Sequence, residues 1–370
     1  MAMDPIVIIG GGVIGASLAY NLRDNPRPVV LYERNALGSG TSADSVALFV
    51  WHQSSPDRLS HKLRSRSWEH YEPLVRDETL SFEQIGTLDV ANTDEESEFL
   101  RELTGTLEEF GAEASFLEPD SLSDHGLNPD VVSGAMFTPE DGYMDPSEII
   151  QHYVREATDA GVTVETQTAV TDIVTEDGRV TGVETEVGTH SAAAVVNAAG
   201  PWAPTVNEMV DVSLPFRHNR GPVVVLQKSQ TFSLPFIQFG DGLYFRGEGH
   251  NQAFAGRFGE SYENAELLNP AGARSIDHEF YLEIDDRIQE AIPRLDGVEL
   301  VNEWVGVRTL TPDGVPIVGK TDISDFYIAA GMNGLGVTLS PAVGGYLADV
   351  IEGDDVDSDV QSYLSPARFA

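Results

Sequence analysis

Short apolar runs that end in glycine-rich turns alternate along this chain with segments that read as helices. Residues 5–9 (PIVII) are apolar and mostly β-branched, which predicts a buried parallel strand. Glycines follow at Gly10, Gly12 and Gly15, and residues 16–22 continue as a helix. Residues 28–34 (PVVLYER) predict a second strand with Glu33 at its end. A polar loop of small residues then leads into an apolar stretch, ERNALGSGTSADSVALFVWH, over residues 33–52. A helix is expected over about 59–76, and strand, acidic helix, strand over 81–122, with Thr93 and Glu96 as a capping box. A further helix starts after Pro146, and a strand covers 162–165. A strand, a hairpin turning at Asp177-Gly178 and a buried strand ending in Gly200 come next. Residues 214–258 are strand-rich, with many prolines and aromatics. Residues 326–351 read as strand, glycine-rich turn and helix. Neither repeats nor a low-complexity linker are evident.

The first turn carries the earliest chemistry. Gly10, Gly12 and Gly15 fit G-x-G-x-x-G, with a strand before and a helix after. Gly10 allows the tight turn, Gly12 lets a pyrophosphate approach the backbone, and Gly15 lets helix and strand pack closely. The helix N-terminus then faces the phosphates, and Glu33 is placed to accept both ribose hydroxyls. A dinucleotide is the expected ligand. A nicotinamide enzyme would usually continue with further βα units. The loop after Glu33 instead reads as one that threads under an isoalloxazine ring, so FAD is favoured. Arg34 would meet the adenine side, and Thr41 and Ser42 the phosphate or the flavin.

Composition narrows the class. The chain has 370 residues, 41% of them hydrophobic, enough for two cores. Against 60 acidic residues stand 22 basic ones, a net charge of −38, with lysine only at Lys62, Lys228 and Lys320. Such a surface repels nucleic acid and anionic lipid. It also repels itself, except at ~1 M salt, where the Debye length is about 3 Å. The acid is spread over the whole length, so a protein adapted to a salt-filled cytoplasm is expected. No cysteine is present, which removes disulfides, thiolate metal sites and a cysteinyl flavin link. Neither paired histidines nor another metal-ligand spacing is seen, and no metal is expected. No apolar run approaches the ~20 residues of a membrane span. The N-terminal apolar run lacks a basic leader and serves the glycine motif, so no signal peptide is predicted.

The motifs IIGGGVIG, GSGTS, DGYMDPSEII, VVNAAGPWA, WVGVRTLTPDGVPIVG and GMNGLGVTLSPAVGGYLAD together resemble the D-amino-acid oxidase superfamily of FAD enzymes. That superfamily includes glycine oxidase, sarcosine oxidase and dimethylglycine and proline dehydrogenases. The resemblance spans nearly the whole chain. It implies an α/β fold with a discontinuous Rossmann-like FAD-binding domain (1–80, 145–212 and 300–370) and a sheet-rich α+β substrate domain (81–144 and 213–299). Besides Gly10, Gly12, Val13, Ile14, Gly15, Glu33, Arg34, Thr41 and Ser42, it assigns further residues to non-covalently bound FAD. Backbone at Val170 would hold the adenine. Ala199 and Gly200 would lie near the pyrophosphate, with Trp202 packed beside it or simply in the core. Gly334, Leu335, Gly336, Val337 and Thr338 would meet the flavin pyrimidine edge, where a helix N-terminus stabilises negative charge; close packing is the alternative reading of those glycines.

On the substrate side, the resemblance pairs Arg308 with a substrate carboxylate, a task suited to a guanidinium fork; the alternative is a structural ion pair. Tyr244 would bind the carboxylate or cover the pocket. Arg246 would line the same strand or pair at the surface. His52 would orient substrate, carry a covalent flavin, or be polar lining. The expected reaction is oxidation of an amino acid or N-alkyl amino acid to an imine. A 2-hydroxy-acid (2-hydroxyglutarate-type) dehydrogenase is the alternative, and a flavin-holding, non-enzymatic subunit a third. Relatives that react quickly with oxygen carry a lysine in a substrate-domain strand. The corresponding stretch here, HNQAFAGRF (250–258), has none, which favours a quinone or carrier protein over oxygen as electron acceptor.

Overall fold

The computed structural model describes residues 3–259, 261–272 and 275–369. Its strands form two large sheets and two small ones. The first is six-stranded, in the order Ile317–Lys320, Phe326–Ala330, Ala194–Asn197, Ile6–Ile9, Val29–Tyr32 and Thr163–Glu165. The five strands from Phe326–Ala330 to Thr163–Glu165 pair in parallel with Ile6–Ile9 at their centre, fully buried as the unbroken apolar run predicts. One face is covered by the helices Val13–Asn21, Pro146–Asp159 and Gly336–Glu352. The Ser17 hydroxyl donates to the Ser340 carbonyl at 2.7 Å across the helix–helix contact. The other face is covered by a three-stranded sheet, Val170–Glu176, Arg179–Thr185 and Gly188–Ser191, whose Ile173, Val180 and Val183 pack on Val7, Ile9 and Val195. Its first hairpin turns at Asp177 and Gly178, both with positive φ, as the sequence predicts.

The second large sheet has eight strands, in the order Glu299–Leu310, Arg217–Gln227, Gln252–Arg257, Leu243–Glu248, Phe236–Phe239, Thr87–Ala91, Gly134–Thr138 and Ser115–Leu117. One face is sealed by the helix His278–Ala291 through Phe280, Ile284 and Ile288. The acidic helix Asp94–Phe110 begins with the expected capping box, in which Thr93 and Glu96 satisfy each other's backbone N–H groups. Residues 300–310, expected with the nucleotide-binding segments, belong to this sheet instead. Glu299–Leu310 pairs antiparallel with Arg217–Gln227 along its length. That strand carries Arg308 to the junction of the two large sheets.

The small sheet of Leu48–Phe49, Gly142–Met144 and Phe82–Gln84 ties the loop after Glu33 to the segments that enter the eight-stranded sheet. Among the described residues no helix is long and apolar enough to cross a membrane. No group of three or more His, Asp or Glu side chains able to hold a metal ion occurs among them either.

Candidate active site

The first cavity runs along the carboxyl ends of the parallel strands, where open α/β sheets bind ligands. Gly10, Gly12, Val13, Ile14, Glu33, Arg34, Thr41, Ser42, Val170, Ala199, Gly200 and Trp202 line it, with Gly334, Gly336 and Val337 at its far end. The turn is built without room for side chains. A Cβ on Gly15 would lie 1.9 Å from the Gly10 carbonyl oxygen, and one on Gly10 would lie 2.6 Å from that of Ala198. Glu33 accepts the Gly11 and Asn35 N–H groups, each at 2.8 Å, which fixes its carboxylate beside the turn. Ser42 accepts the Val13 N–H at 3.2 Å at the helix N-terminus. The Arg34 guanidinium lies 3.8 Å from the Trp202 ring centroid. Sequence reasoning missed Thr168, Ala169, Thr205 and Met209 in this lining, which contribute no motif and which only the fold brings together, and it assigned no role to Pro201 within VVNAAGPWA.

At the far end, Leu339 N–H is the first taken by the helical ladder, bonding the Leu335 carbonyl at 2.9 Å. The N–H groups of Gly336, Val337 and Thr338 lie outside the ladder, at the positive end of a 17-residue helix. Thr338 differs from expectation. Its side chain is fully buried, its hydroxyl donates to the Leu48 carbonyl at 2.9 Å, and it lines neither cavity. Leu335 lines the second cavity, not the first.

The second cavity, of about 940 Å³, opens between the two large sheets, toward the upper end of the range for small-molecule sites. Thr41, Arg308, Asn333 and Gly334 are among the residues that line both cavities. Arg308 donates from Nη2 to the Arg257 carbonyl at 3.0 Å, while its Nε has no hydrogen-bond partner among the described residues. No carboxylate among the described residues pairs with it. Burial pushes its pKa down, and only Tyr244 opposes the shift. The structural ion pair is therefore not formed. Tyr244 is buried on the strand Leu243–Glu248, between Phe236 and Phe258, with ring centroids 5.4 and 4.9 Å away. Its hydroxyl lies over Gly256, where a Cβ would come within 2.2 Å of it.

His52 is buried at the cleft wall, with Nε2 3.0 Å from Gln238 Nε2 and 3.7 Å from Asp89 Oδ2. Burial, with the Arg64 charge nearby, lowers its pKa to about 4, so the ring is neutral at pH 7. Burial raises Asp89 to about 6. Asp89, Gln238 and Tyr244 come into one row because Gln238 registers against Asp89 on one side and Tyr244 on the other. No sequence spacing announced that row. Arg246 also departs from expectation. It is buried, stacks between Tyr143 and Phe254 at 3.9 and 4.5 Å, pairs with Glu248, and does not line the cleft. No lysine lines the cleft among the described residues. In the stretch 250–258, Arg257 pairs with Glu283 at 2.5 Å.

The G-x-G-x-x-G turn, the ribose-side acid and the continuous trough from helix N-terminus to helix N-terminus fit an extended dinucleotide. The profile of the FAD dependent oxidoreductase family matches residues 5–350. The chain belongs to that family. Its cofactor is FAD. It is 29% identical to mitochondrial dimethylglycine dehydrogenase of Rattus norvegicus over 98% of this chain and 44% of that protein. It is 25% identical to glycine oxidase of Geobacillus kaustophilus, covering 97% and 95% of the two chains. The crystal structure of L-proline dehydrogenase from P. horikoshii superposes with a TM-score of 0.89 at 25% identity, over 100% and 98% of the two chains. The chain thus spans less than half the length of the dimethylglycine dehydrogenase it matches, but nearly all of glycine oxidase.

Proposed function

We propose that the protein is a dehydrogenase of amino acids or N-alkyl amino acids, with its FAD held non-covalently. Arg308 carries this reading: a half-buried guanidinium without a carboxylate partner among the described residues stands where the cofactor trough opens into the substrate cleft. A chain with 60 carboxylates that leaves this cation unpaired has reserved it for a ligand carboxylate. Bound FAD supplies the acceptor for a hydride from the substrate α-carbon. The chain supplies orientation, from which most of the rate derives. Arg308 holds the carboxylate, and Tyr244 closes the pocket over it. His52, neutral at pH 7, forms part of the cleft wall, and the substrate amine reacts in its unprotonated form. As the α C–H bond breaks, the nitrogen lone pair forms the C=N bond, and water then hydrolyses the imine or the product cyclises. The free N–H groups at residues 336–338 favour negative charge at the trough's end.

The absence of lysine from the described cleft lining supports a quinone or carrier protein over oxygen as acceptor. The even spread of acid supports a high-salt cytoplasmic setting. The test is an anaerobic screen in high salt of amino acids, N-methyl amino acids and 2-hydroxy acids, read by flavin bleaching. Bleaching by amino acids, with reoxidation in air slower than turnover on an artificial acceptor, is expected. Bleaching by 2-hydroxy acids alone would overturn the substrate class. Air reoxidation as fast as turnover, with matching peroxide, would overturn the choice of acceptor. Acid precipitation should leave the flavin in the supernatant; a yellow pellet would point to attachment at His52.

A further inference from the structure

The cleft holds a second guanidinium, this one buried, that the proposed reaction does not use. Arg64 sits on the helix Arg58–Arg76 and is 3% exposed. With Arg308 it makes up the arginines of the described cleft lining, but Arg64 does not line the cofactor trough. Its Nε donates to the Val50 carbonyl at 2.9 Å, and Nη1 donates to the Ser60 carbonyl at 3.2 Å and to the Ser60 hydroxyl. Among the described residues no acceptor is bonded to Nη2, and Arg64 lines the cleft. Asp141 and Asp57 act on Arg64 electrostatically, without forming an ion pair to it. Asp141 instead accepts the Trp51 N–H at 2.6 Å and the Thr138 hydroxyl at 2.8 Å, and Asp57 accepts the Ser60 N–H at 2.8 Å as the helix cap.

Burying a guanidinium that forms no direct ion pair is costly, and in a chain with almost three carboxylates per base a directly bonded partner was easily available. The surroundings offer an anion more than the one charge. Ser54, Ser55, Ser60 and Tyr363 bring hydroxyls to the same part of the lining. The cleft volume exceeds what a glycine-sized substrate fills.

We propose that Arg64 binds a second carboxylate of the substrate, so that the enzyme acts on amino dicarboxylates, with Arg308 holding the carboxylate next to the reacting carbon. This deepens the proposed function and rests on it for the position of the amine, though not for the second carboxylate. A single carboxylate suits the site better than a phosphate, because Asp57, Asp89 and Glu96 also line the cleft and repel a doubly charged group more strongly.

The test uses the FAD-loaded protein in constant high salt. Unreactive straight-chain dicarboxylates of three to seven carbons are titrated beside the monocarboxylates of equal length, and binding is read from the flavin absorption shift. One dicarboxylate length is expected to bind at least tenfold tighter than its monocarboxylate, the value of one charge-assisted bond. Arg64→Met should collapse that ratio toward one, and Arg64→Lys should restore part of it. Equal affinities in the wild type at every length would overturn the proposal, and this reading needs no variant to fold. A ratio that survives in Arg64→Met would overturn it as well. In parallel, α-amino dicarboxylates are compared as substrates with their ω-carboxamides. If only 2-hydroxy dicarboxylates reduce the flavin, the amine-oxidation reading fails while the dicarboxylate ratio still stands or falls separately.

Discussion

Replacing Arg308 by methionine separates binding of the substrate carboxylate from everything else the cleft does. In the wild type the guanidinium is held by one bond to the Arg257 carbonyl, and it meets no carboxylate among the described residues. A substrate carboxylate would therefore gain a charge-assisted hydrogen bond in a largely desolvated site, worth about 3 kcal/mol. Its loss should lower kcat/KM roughly a hundredfold. The same substitution removes a half-buried charge that meets no carboxylate, so the substrate-free protein should melt no lower than wild type. The assay is steady-state kinetics with an artificial acceptor, using an amino acid and its amide side by side, together with thermal melts. The acid should lose about a hundredfold while the amide, lacking the charge, loses far less. Equal losses for acid and amide, or wild-type kinetics for the acid, would refute the assignment. A large fall in melting temperature would show Arg308 to be structural instead.

Three further outcomes follow from the geometry. Gly256→Ala drives a Cβ to 2.2 Å from the Tyr244 hydroxyl, which is boxed in by Phe236 and Phe258, so KM should rise at least tenfold while bound FAD per protein stays constant; an unchanged KM refutes the placement of Tyr244. Because the folded pKa of His52 is depressed from 6.5 to about 4, His52 contributes stability that is present above pH 6.5 and lost as pH falls toward 4, roughly 3 kcal/mol in all. Denaturant midpoints measured against pH should therefore fall less steeply for His52→Gln over that window, and parallel curves would contradict the burial of a neutral ring. Dialysis to ~10 mM salt, where the Debye length reaches about 30 Å, should lower the melting temperature of a chain with net charge −38; an identical melt at both salt levels rules out a salt requirement.

What the sequence determined by itself is what short-range sterics and periodicity encode. The strand Ile6–Ile9, the turn through Gly10, Gly12 and Gly15, and Glu33 at the next strand end are spaced within one βαβ unit, so local order dictates their geometry. The capping box at Thr93 and Glu96 and the hairpin at Asp177-Gly178 were legible for the same reason. The cofactor trough was readable because its motifs are local, even though its walls come from distant segments. The substrate cleft was not. Asp89, Gln238 and Tyr244 meet only through strand register, parallel on one side and antiparallel on the other, and a shift of one residue would turn them to the opposite face. Burial, not residue type, keeps the His52 ring neutral, and burial without an ion pair also distinguishes Arg64 from the arginines spent on surface ion pairs. Arg246, two residues from Tyr244, looks equivalent in the strand pattern, yet two aromatic rings and Glu248 hold it away from the cleft. Sequence sets which groups are available, whereas desolvation and the choice of neighbour are long-range properties that only the packed chain decides.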